Sequence, residues 1–279
     1  MELRNFGPTG RRVAAIGQGT WQMESQPRAA AAALRRGIEL GMTHIDTAEM
    51  YGSGRVEEIV AKAISGRRDE LYLVSKVLPQ NASRTGTVAA CEASLRRLGT
   101  DRLDLYLLHW PGRHPLEGTI EAFDRLHRDG KIRAWGVSNF DVNELEGALR
   151  IAGPGKIACN QVLYHLEERA IEHRIVPWCE AHGVAVVAYS PLGQGDFPAP
   201  RSAGGRVLAA LAENYSATPR QIALAFLIRR PSHFAIPKSS RLAHVAENAG
   251  AFRVKLDAAA ITKIEEAFPL GRKRSLPML

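Results

Sequence analysis

The sequence predicts a single α/β domain folded as a (β/α)8 TIM barrel, and three observations predict it. Strand-like apolar segments alternate with amphipathic helical ones eight times along the 279 residues. Most intervals between strand ends are about thirty residues, the size of one βα unit. Several strands are continuously apolar rather than alternating, as in a parallel sheet buried on both faces. A doubly wound open sheet fits less well, because it usually has fewer strands and a glycine-rich first turn. No linker or composition break interrupts the pattern, so residues 1–279 are expected to form one domain.

Composition narrows the class. Hydrophobic content of 45% and charged content of 24% are ordinary for a globular chain and exclude a disordered one. No apolar run approaches the ~18 residues of a membrane span, so no membrane partner is expected. Met1-Glu2-Leu3-Arg4-Asn5 lacks the basic-then-apolar layout of a secretory signal. Cys91, Cys159 and Cys179 are few and not in metal-ligand spacing. They read as reduced packing residues, and a cytoplasmic location is expected. The formal charge of +8 suits an anionic partner. Its scattered Arg and Lys argue against nucleic acid and leave a phosphorylated cofactor. The tail cluster Arg272-Lys273-Arg274 reads as a solvated terminus. A monomer is expected.

The elements follow in order. Residues 3 to 14 alternate around Gly7-Pro8-Thr9-Gly10, a small β-hairpin ahead of the barrel. Val13-Ala14-Ala15-Ile16 is then the first barrel strand, ending at Gly17-Gln18-Gly19-Thr20-Trp21. This turn is not a dinucleotide fingerprint, because Gln22 occupies the place of the third glycine. Pro27 starts an alanine-rich helix that Gly41 ends. Further strands are predicted at 43–46, 71–77, 103–109, 132–138, 157–161, 184–189 and 233–236. The helices between them fall at 55–65, 84–98, 119–129, 142–152, 172–182, 203–214 and 219–229. Helices at 241–249 and 257–267 close the chain, one or two more than the barrel needs.

Strand carboxyl ends converge on one mouth of a barrel, where chemistry is expected. They collect Asp46, Tyr51, Lys76, His109, Ser138, Asn139, Gln161 and Tyr189. A buried charge is costly unless paired, and Asp46 is the evident partner for Lys76. Free tyrosine has a pKa near 10, too high for efficient proton transfer at neutral pH. A nearby ammonium is expected to pull Tyr51 down, while neutral His109 orients the oxygen that gains the proton. This group suits protonation of a carbonyl oxygen as a nucleophile reaches its carbon. Asp, Tyr, Lys and one His are a poor ligand set, so no metal is implied.

A hydride cofactor is the natural nucleophile source. Ser138, Asn139 and Gln161 suit a carboxamide, and Tyr189 offers a flat face to a planar ring. The loop Ser190-Pro191-Leu192-Gly193-Gln194-Gly195 can present backbone N–H groups to a pyrophosphate. Lys238, Ser239, Ser240 and Arg241 open a helix at the last strand end, which fits the 2′-phosphate of NADP.

At these residues the sequence resembles the aldo-keto reductases almost end to end. The resemblance is carried by Gly17-Gln18-Gly19-Thr20-Trp21, by Asp46-Thr47-Ala48-Glu49-Met50-Tyr51-Gly52 and by Val74-Ser75-Lys76-Val77. It continues through Asp104-Leu105-Tyr106-Leu107-Leu108-His109-Trp110-Pro111, Gly136-Val137-Ser138-Asn139-Phe140 and Asn160-Gln161. Ala188-Tyr189-Ser190-Pro191-Leu192 and Ile236-Pro237-Lys238-Ser239 complete it. It implies an NADP-dependent reductase of aldehydes or ketones with a catalytic tetrad of Asp46, Tyr51, Lys76 and His109. Tyr51 would donate the proton, Lys76 and Asp46 would tune it, and His109 would orient the carbonyl. NADP(H) would lie across the mouth against Gly19, Thr20, Trp21, Asp46, Ser138, Asn139, Gln161, Tyr189, Ser190, Leu192 and Gln194. Its remaining contacts would come from Ile236, Lys238, Ser239, Ser240, Arg241, His244, Glu247 and Asn248.

The sequence departs from the family at one cofactor position and in its short loop after His109 and short tail after Phe268. Members commonly have arginine six residues after the phosphate-binding lysine, where this chain has His244. Arg241 is the expected substitute. Short loops imply an open pocket for a small carbonyl substrate, lined by Trp21, Tyr51, His109 and Trp110. A redox-sensing regulatory protein of the same fold, holding the cofactor with slow turnover, is the alternative reading.

Overall fold

The chain opens with a β-hairpin that serves as the floor of a barrel. Strands β1 (Leu3–Asn5) and β2 (Arg12–Ala14) pair antiparallel, with Leu3 opposite Ala14. Their turn passes Gly7 at φ 49°, where a Cβ would lie 2.1 Å from the carbonyl oxygen of Ala158. Only glycine allows that approach. It drives Phe6 into the barrel, with ring centroids 4.7 Å from Phe234 and 4.9 Å from Tyr72. The structure is a computed structural model describing residues 3–273 and 275–278. Met1, Glu2, Arg274 and Leu279 lie outside the described residues, and with them the third member of the basic tail cluster.

The first barrel strand differs from expectation. It is β3 (Gln18–Gly19), not Val13–Ile16, because the hairpin uses Arg12–Ala14 for its own pairing. Seven parallel strands follow: β4 (His44–Asp46), β5 (Tyr72–Val77), β6 (Leu103–Leu108), β7 (Ile132–Ser138), β8 (Ile157–Leu163), β9 (Ala185–Tyr189) and β10 (His233–Ala235). They lie in sequence order from β3 to β10. Parallel bridges from Ile16 to Ala235 and from Gly19 to Lys238 close the circle. Backbone bonds from Gly17 N to Ala235 O at 2.8 Å and from Ala235 N to Ala15 O at 2.9 Å complete it.

Helices α1 (Pro27–Glu39), α2 (Arg55–Ile64), α3 (Arg84–Leu98), α4 (Leu116–Arg128), α5 (Val142–Ala152) and α6 (Ile175–Ala181) each follow one strand. Helices α7 (Ala203–Asn214) and α8 (Pro219–Leu227) follow β9, while α9 (Leu242–Gly250) and α10 (Ala258–Ala267) follow β10. Helix α4 starts at Leu116, earlier than predicted, directly after Pro115 at its N-cap. The predicted helix at 172–182 is broken into a 3-10 turn, Ala170–His173, and α6. No helix among the described residues is long and apolar enough to cross a membrane.

Two cores result. Helix α1 shows the outer one: Ala30, Ala33, Leu34, Gly37 and Ile38 recur at helical spacing and are buried against the strands. Each Leu or Ile so buried contributes about 1.5–3 kcal/mol. The inner core fills the barrel with Phe6, Tyr72, Val74, Leu105, Leu107, Val187 and Phe234. On β5 the alternation puts Tyr72, Val74 and Lys76 on the inner face. Ser75 points outward and donates to Glu57 Oε1 of α2 at 2.6 Å. Lys76 is thus an inward-pointing lysine at the top of an apolar stack.

A buried ionic group ties the carboxyl-terminal helix to the barrel. Glu172 accepts from Arg169, Arg229 and Tyr164 Oη, and Arg169 also donates to Phe268 O. Burial alone would raise the Glu172 pKa, but these donors outweigh it and hold the carboxyl at about 2. The stability that this carboxylate brings is present above its ordinary range, near 4.5, and is lost as pH falls through about 2. Glu172→Gln is predicted to lower stability at neutral pH by about 3 kcal/mol. The deficit should shrink as pH falls from 4.5 toward 2, as followed by denaturant unfolding across that range. A deficit independent of pH would contradict the assignment.

Candidate active site

Three neighbouring strands deliver four polar side chains to one end of the barrel. Asp46 ends β4 and Lys76 lies one residue from the end of β5. His109 follows Leu108, the last residue of β6. Tyr51 follows Asp46 through a turn closed by Tyr51 N on Ala48 O at 3.1 Å, and Gly52, Ser53 and Gly54 directly after it all adopt positive φ, at 55°, 53° and 90°. A Cβ on Gly52 would lie 3.0 Å from Glu24 Cβ, so glycine suits both the conformation and the space. Glu49 pins the turn from outside, accepting from Leu78 N at 2.7 Å and Asn81 Nδ2 at 3.0 Å.

The four meet around Lys76. Its Nζ donates to Asp46 Oδ1 at 2.5 Å, to Thr47 O at 2.8 Å and to Tyr51 Oη at 3.2 Å, so all three protons are used. The side chains of Lys76 and Asp46 are 0% and 1% exposed, which makes this a fully desolvated pair. Gln161 Nε2 donates to the other carboxylate oxygen at 2.7 Å, and Thr20 Oγ1 donates to the Asp46 carbonyl at 2.9 Å. The rings of Tyr51 and His109 stand edge to face at 5.8 Å.

Electrostatics follow from burial. Desolvation works against the Lys76 ammonium, but Asp46 and Tyr51 outweigh it and hold the lysine above its ordinary value. Burial, then the Lys76 charge, drives His109 down to about 2, so its imidazole is neutral. For Tyr51 the expected lowering does not win. Burial raises its pKa more than the Lys76 ammonium lowers it, and the phenol lies above its free value. Tyr51 therefore holds its proton at neutral pH.

Above the tetrad opens a cavity of about 490 Å³, which Lys76 does not line. Asp46, Tyr51 and His109 form part of its wall, with Trp21, Trp110, Ser138, Asn139, Gln161 and Tyr189. Gly19, Thr20, Ser190, Leu192, Gln194, Ile236, Lys238, Ser239, His244 and Asn248 continue the wall as the sequence reading placed them. Ser240, Arg241 and Glu247 do not line it. Glu247 instead accepts from Thr218 Oγ1 at 2.6 Å. Sequence reasoning missed Gln22, Met50, Phe197 and Arg220, which the structure brings to the wall. Gln22 had one available signal, its place in the glycine-rich turn. Phe197 and Arg220 had none, since loop path and helix packing bring them in.

The polar wall is held in advance. Asn139 Nδ2 lies 3.3 Å from His109 O and from Ser138 Oγ, while Tyr189 Oη donates to Asn139 Oδ1 at 3.0 Å. Four of the non-glycine residues with positive φ, Gln22, Asn139, Ser190 and Gln194, line this one cavity. Such strain concentrates where function over-determines the backbone. Around Ser190, Gly193, Gln194 and Gly195 the positive φ values bend the chain tightly at the cavity edge, with Gly193 N donating to Ser190 O at 2.9 Å. Among the described residues no group of three or more His, Cys, Asp or Glu is placed to hold a metal.

The aldo/keto reductase family model matches residues 15–268 of this chain. The chain belongs to that family. It is similar to a methylglyoxal reductase of Escherichia coli (strain K12), 44% identical over 95% of both chains. A glyoxal reductase of Bacillus subtilis (strain 168) is 35% identical over 90% of this chain and 87% of that one. Among solved structures, an aldo-keto reductase from Klebsiella pneumoniae in complex with NADPH superposes with a TM-score of 0.93. The two are 43% identical and each is covered in full. The barrel, the hairpin and the reductase class thus have independent support.

Because burial keeps His109 neutral, its imidazole resonances are predicted to show no titration between about pH 5 and 8, the window in which an ordinary histidine charges. A midpoint near 6.5 in the NMR titration would show that the ring is hydrated and not in the packed site described.

Proposed function

We propose that this enzyme reduces the carbonyl group of small aldehydes and ketones to an alcohol with NADPH, α-oxoaldehydes such as methylglyoxal being the favoured class. The observation that carries the reading is the Lys76 ammonium bridging Asp46 and Tyr51 beneath a cavity that Tyr51 and His109 line. The relatives named for methylglyoxal and glyoxal support the substrate class. The cavity fits a nicotinamide dinucleotide on its own chemistry. Polar amides at Asn139 and Gln161 suit a carboxamide, the bent backbone at 190–195 suits a pyrophosphate, and exposed Lys238 suits a phosphate.

When bound, the cofactor supplies hydride to the carbonyl carbon. The remaining work falls to this chain. Tyr51 carries its proton at neutral pH and delivers it from Oη to the carbonyl oxygen. The phenolate left behind is stabilised by Lys76 Nζ, already within hydrogen-bond distance. Asp46 keeps Lys76 charged and aimed, and Gln161 holds the second oxygen of Asp46. His109, uncharged, gives the carbonyl oxygen a hydrogen-bond partner without competing as an acid. Trp21 and Trp110 stand beside these groups, with Trp21 packed on Tyr51 at 5.0 Å and Trp110 on His109 at 4.8 Å. Their rings give the reacting groups two apolar neighbours on the cavity wall.

Tyr51→Phe tests the assignment. It should lower methylglyoxal reduction by about 10²–10⁴-fold while NADPH still quenches tryptophan fluorescence. Near-normal turnover in that variant would remove Tyr51 as the proton donor. Wild-type turnover of about 1 s⁻¹ or more on small dicarbonyls is expected of an enzyme, and persistently slower turnover would favour a regulatory cofactor-holding role.

A further inference from the structure

Among the described residues, the wall of the mouth cavity carries Lys or Arg at only two places, Lys238 and Arg220. Lys238 comes from the chain after β10, and Arg220 is the second residue of α8. Where the family resemblance leads one to expect an arginine, the wall has His244 of α9. An imidazole lacks both the permanent charge and the planar fork of a guanidinium. Arg241, the nearest arginine in sequence, is outside the wall.

We propose that Arg220 supplies the missing guanidinium, reading the 2′-phosphate and setting preference for NADP(H) over NAD(H). The proposal rests on the reading of NADP(H) as the cofactor. Four observations carry it. Arg220 faces the same cavity as Lys238, Ser239, His244 and Asn248. Its guanidinium lies over the Phe197 ring, 5.2 Å from the centroid, which orients it without using its hydrogen-bond donors. The first turn of α8 is fixed against α9, since Thr218 Oγ1 and Gln221 Nε2 both donate to Glu247, at 2.6 and 2.9 Å. Glu247 therefore acts as a positioning residue that brings the Arg220 end of α8 beside the His244 face of α9. Finally, Arg220 sits in the first turn of α8. A cation in the first turn of a helix opposes the macrodipole, and an anion in the adjacent cavity reverses that balance.

The test is binding, read apart from turnover. NADPH and NADH are titrated by tryptophan quenching, and 2′,5′-ADP and 5′-AMP by calorimetry, against wild type, Arg220→Ala and Arg220→Lys. Arg220→Ala should weaken NADPH and 2′,5′-ADP by about tenfold or more and leave NADH and 5′-AMP within about twofold. Its NADPH affinity should also fall less steeply with added salt, because one screened charge is gone. Arg220→Lys should lie between, keeping the charge without the fork. Equal weakening of NADH and NADPH would overturn the proposal, since Arg220 would then only hold the Phe197 loop. Unchanged NADPH affinity would overturn it as well. Wild-type protein that binds NADPH no better than NADH would defeat the cofactor reading itself, and the proposal with it.

Discussion

The candidate active site depends on one buried ion pair. Lys76 and Asp46 are removed from water at the top of an apolar barrel core, where either charge alone would be prohibitive. The pair is tolerable because every donor and acceptor is used: the ammonium by Asp46, Thr47 and Tyr51, the carboxylate by Lys76 and Gln161. A pair of this kind is weak evidence for stability, since apolar isosteres often fold as well. Under the proposed function its place in such a core has a chemical reason. It leaves one directional N–H on the oxygen of Tyr51.

The surrounding scaffold makes that geometry reproducible. The hairpin plugs the floor with Phe6, packed against Tyr72, Phe234 and the buried His44 ring, so the interior is filled from below. The turn from Ala48 to Tyr51, closed by Tyr51 N on Ala48 O, brings Tyr51 to Lys76, and the left-handed residues Gly52–Gly54 then lead the chain away into α2. Glu49 secures the turn to the loop after β5. Positive φ at Gln22, Asn139, Ser190 and Gln194 is gathered around the same opening. Rigid strands carry Asp46 and Lys76, and irregular loops carry the recognition surface. That division suits a fold whose chemistry is shared and whose specificity varies.

Much of this was legible in the sequence because it rests on local pattern. Apolar runs such as Leu71–Val77 and Leu103–Leu108 announce buried parallel strands, and a lysine or histidine at their ends is conspicuous. The first barrel strand was misplaced because Val13–Ile16 is the more apolar segment. Gln18–Gly19 has little strand character, and only its parallel pairing with His44–Asp46 identifies it. Tyr51 shows a different limit. Proximity to Lys76 could be inferred, but whether charge or burial dominates its pKa depends on depth, which no spacing encodes. Arg220 was invisible for a third reason. It lies 18 residues before Lys238 in sequence and reaches the cavity only through the packing of α8 on α9.

If the Lys76–Asp46 pair serves catalysis, replacing both members together, Asp46→Asn with Lys76→Met, removes the chemistry without leaving a buried charge unpaired. The double variant is expected to fold, to unfold close to the wild-type temperature, to bind NADPH, and to reduce methylglyoxal about 10²-fold or more slowly. Wild-type turnover in that variant would show that the pair serves the fold and not the reaction.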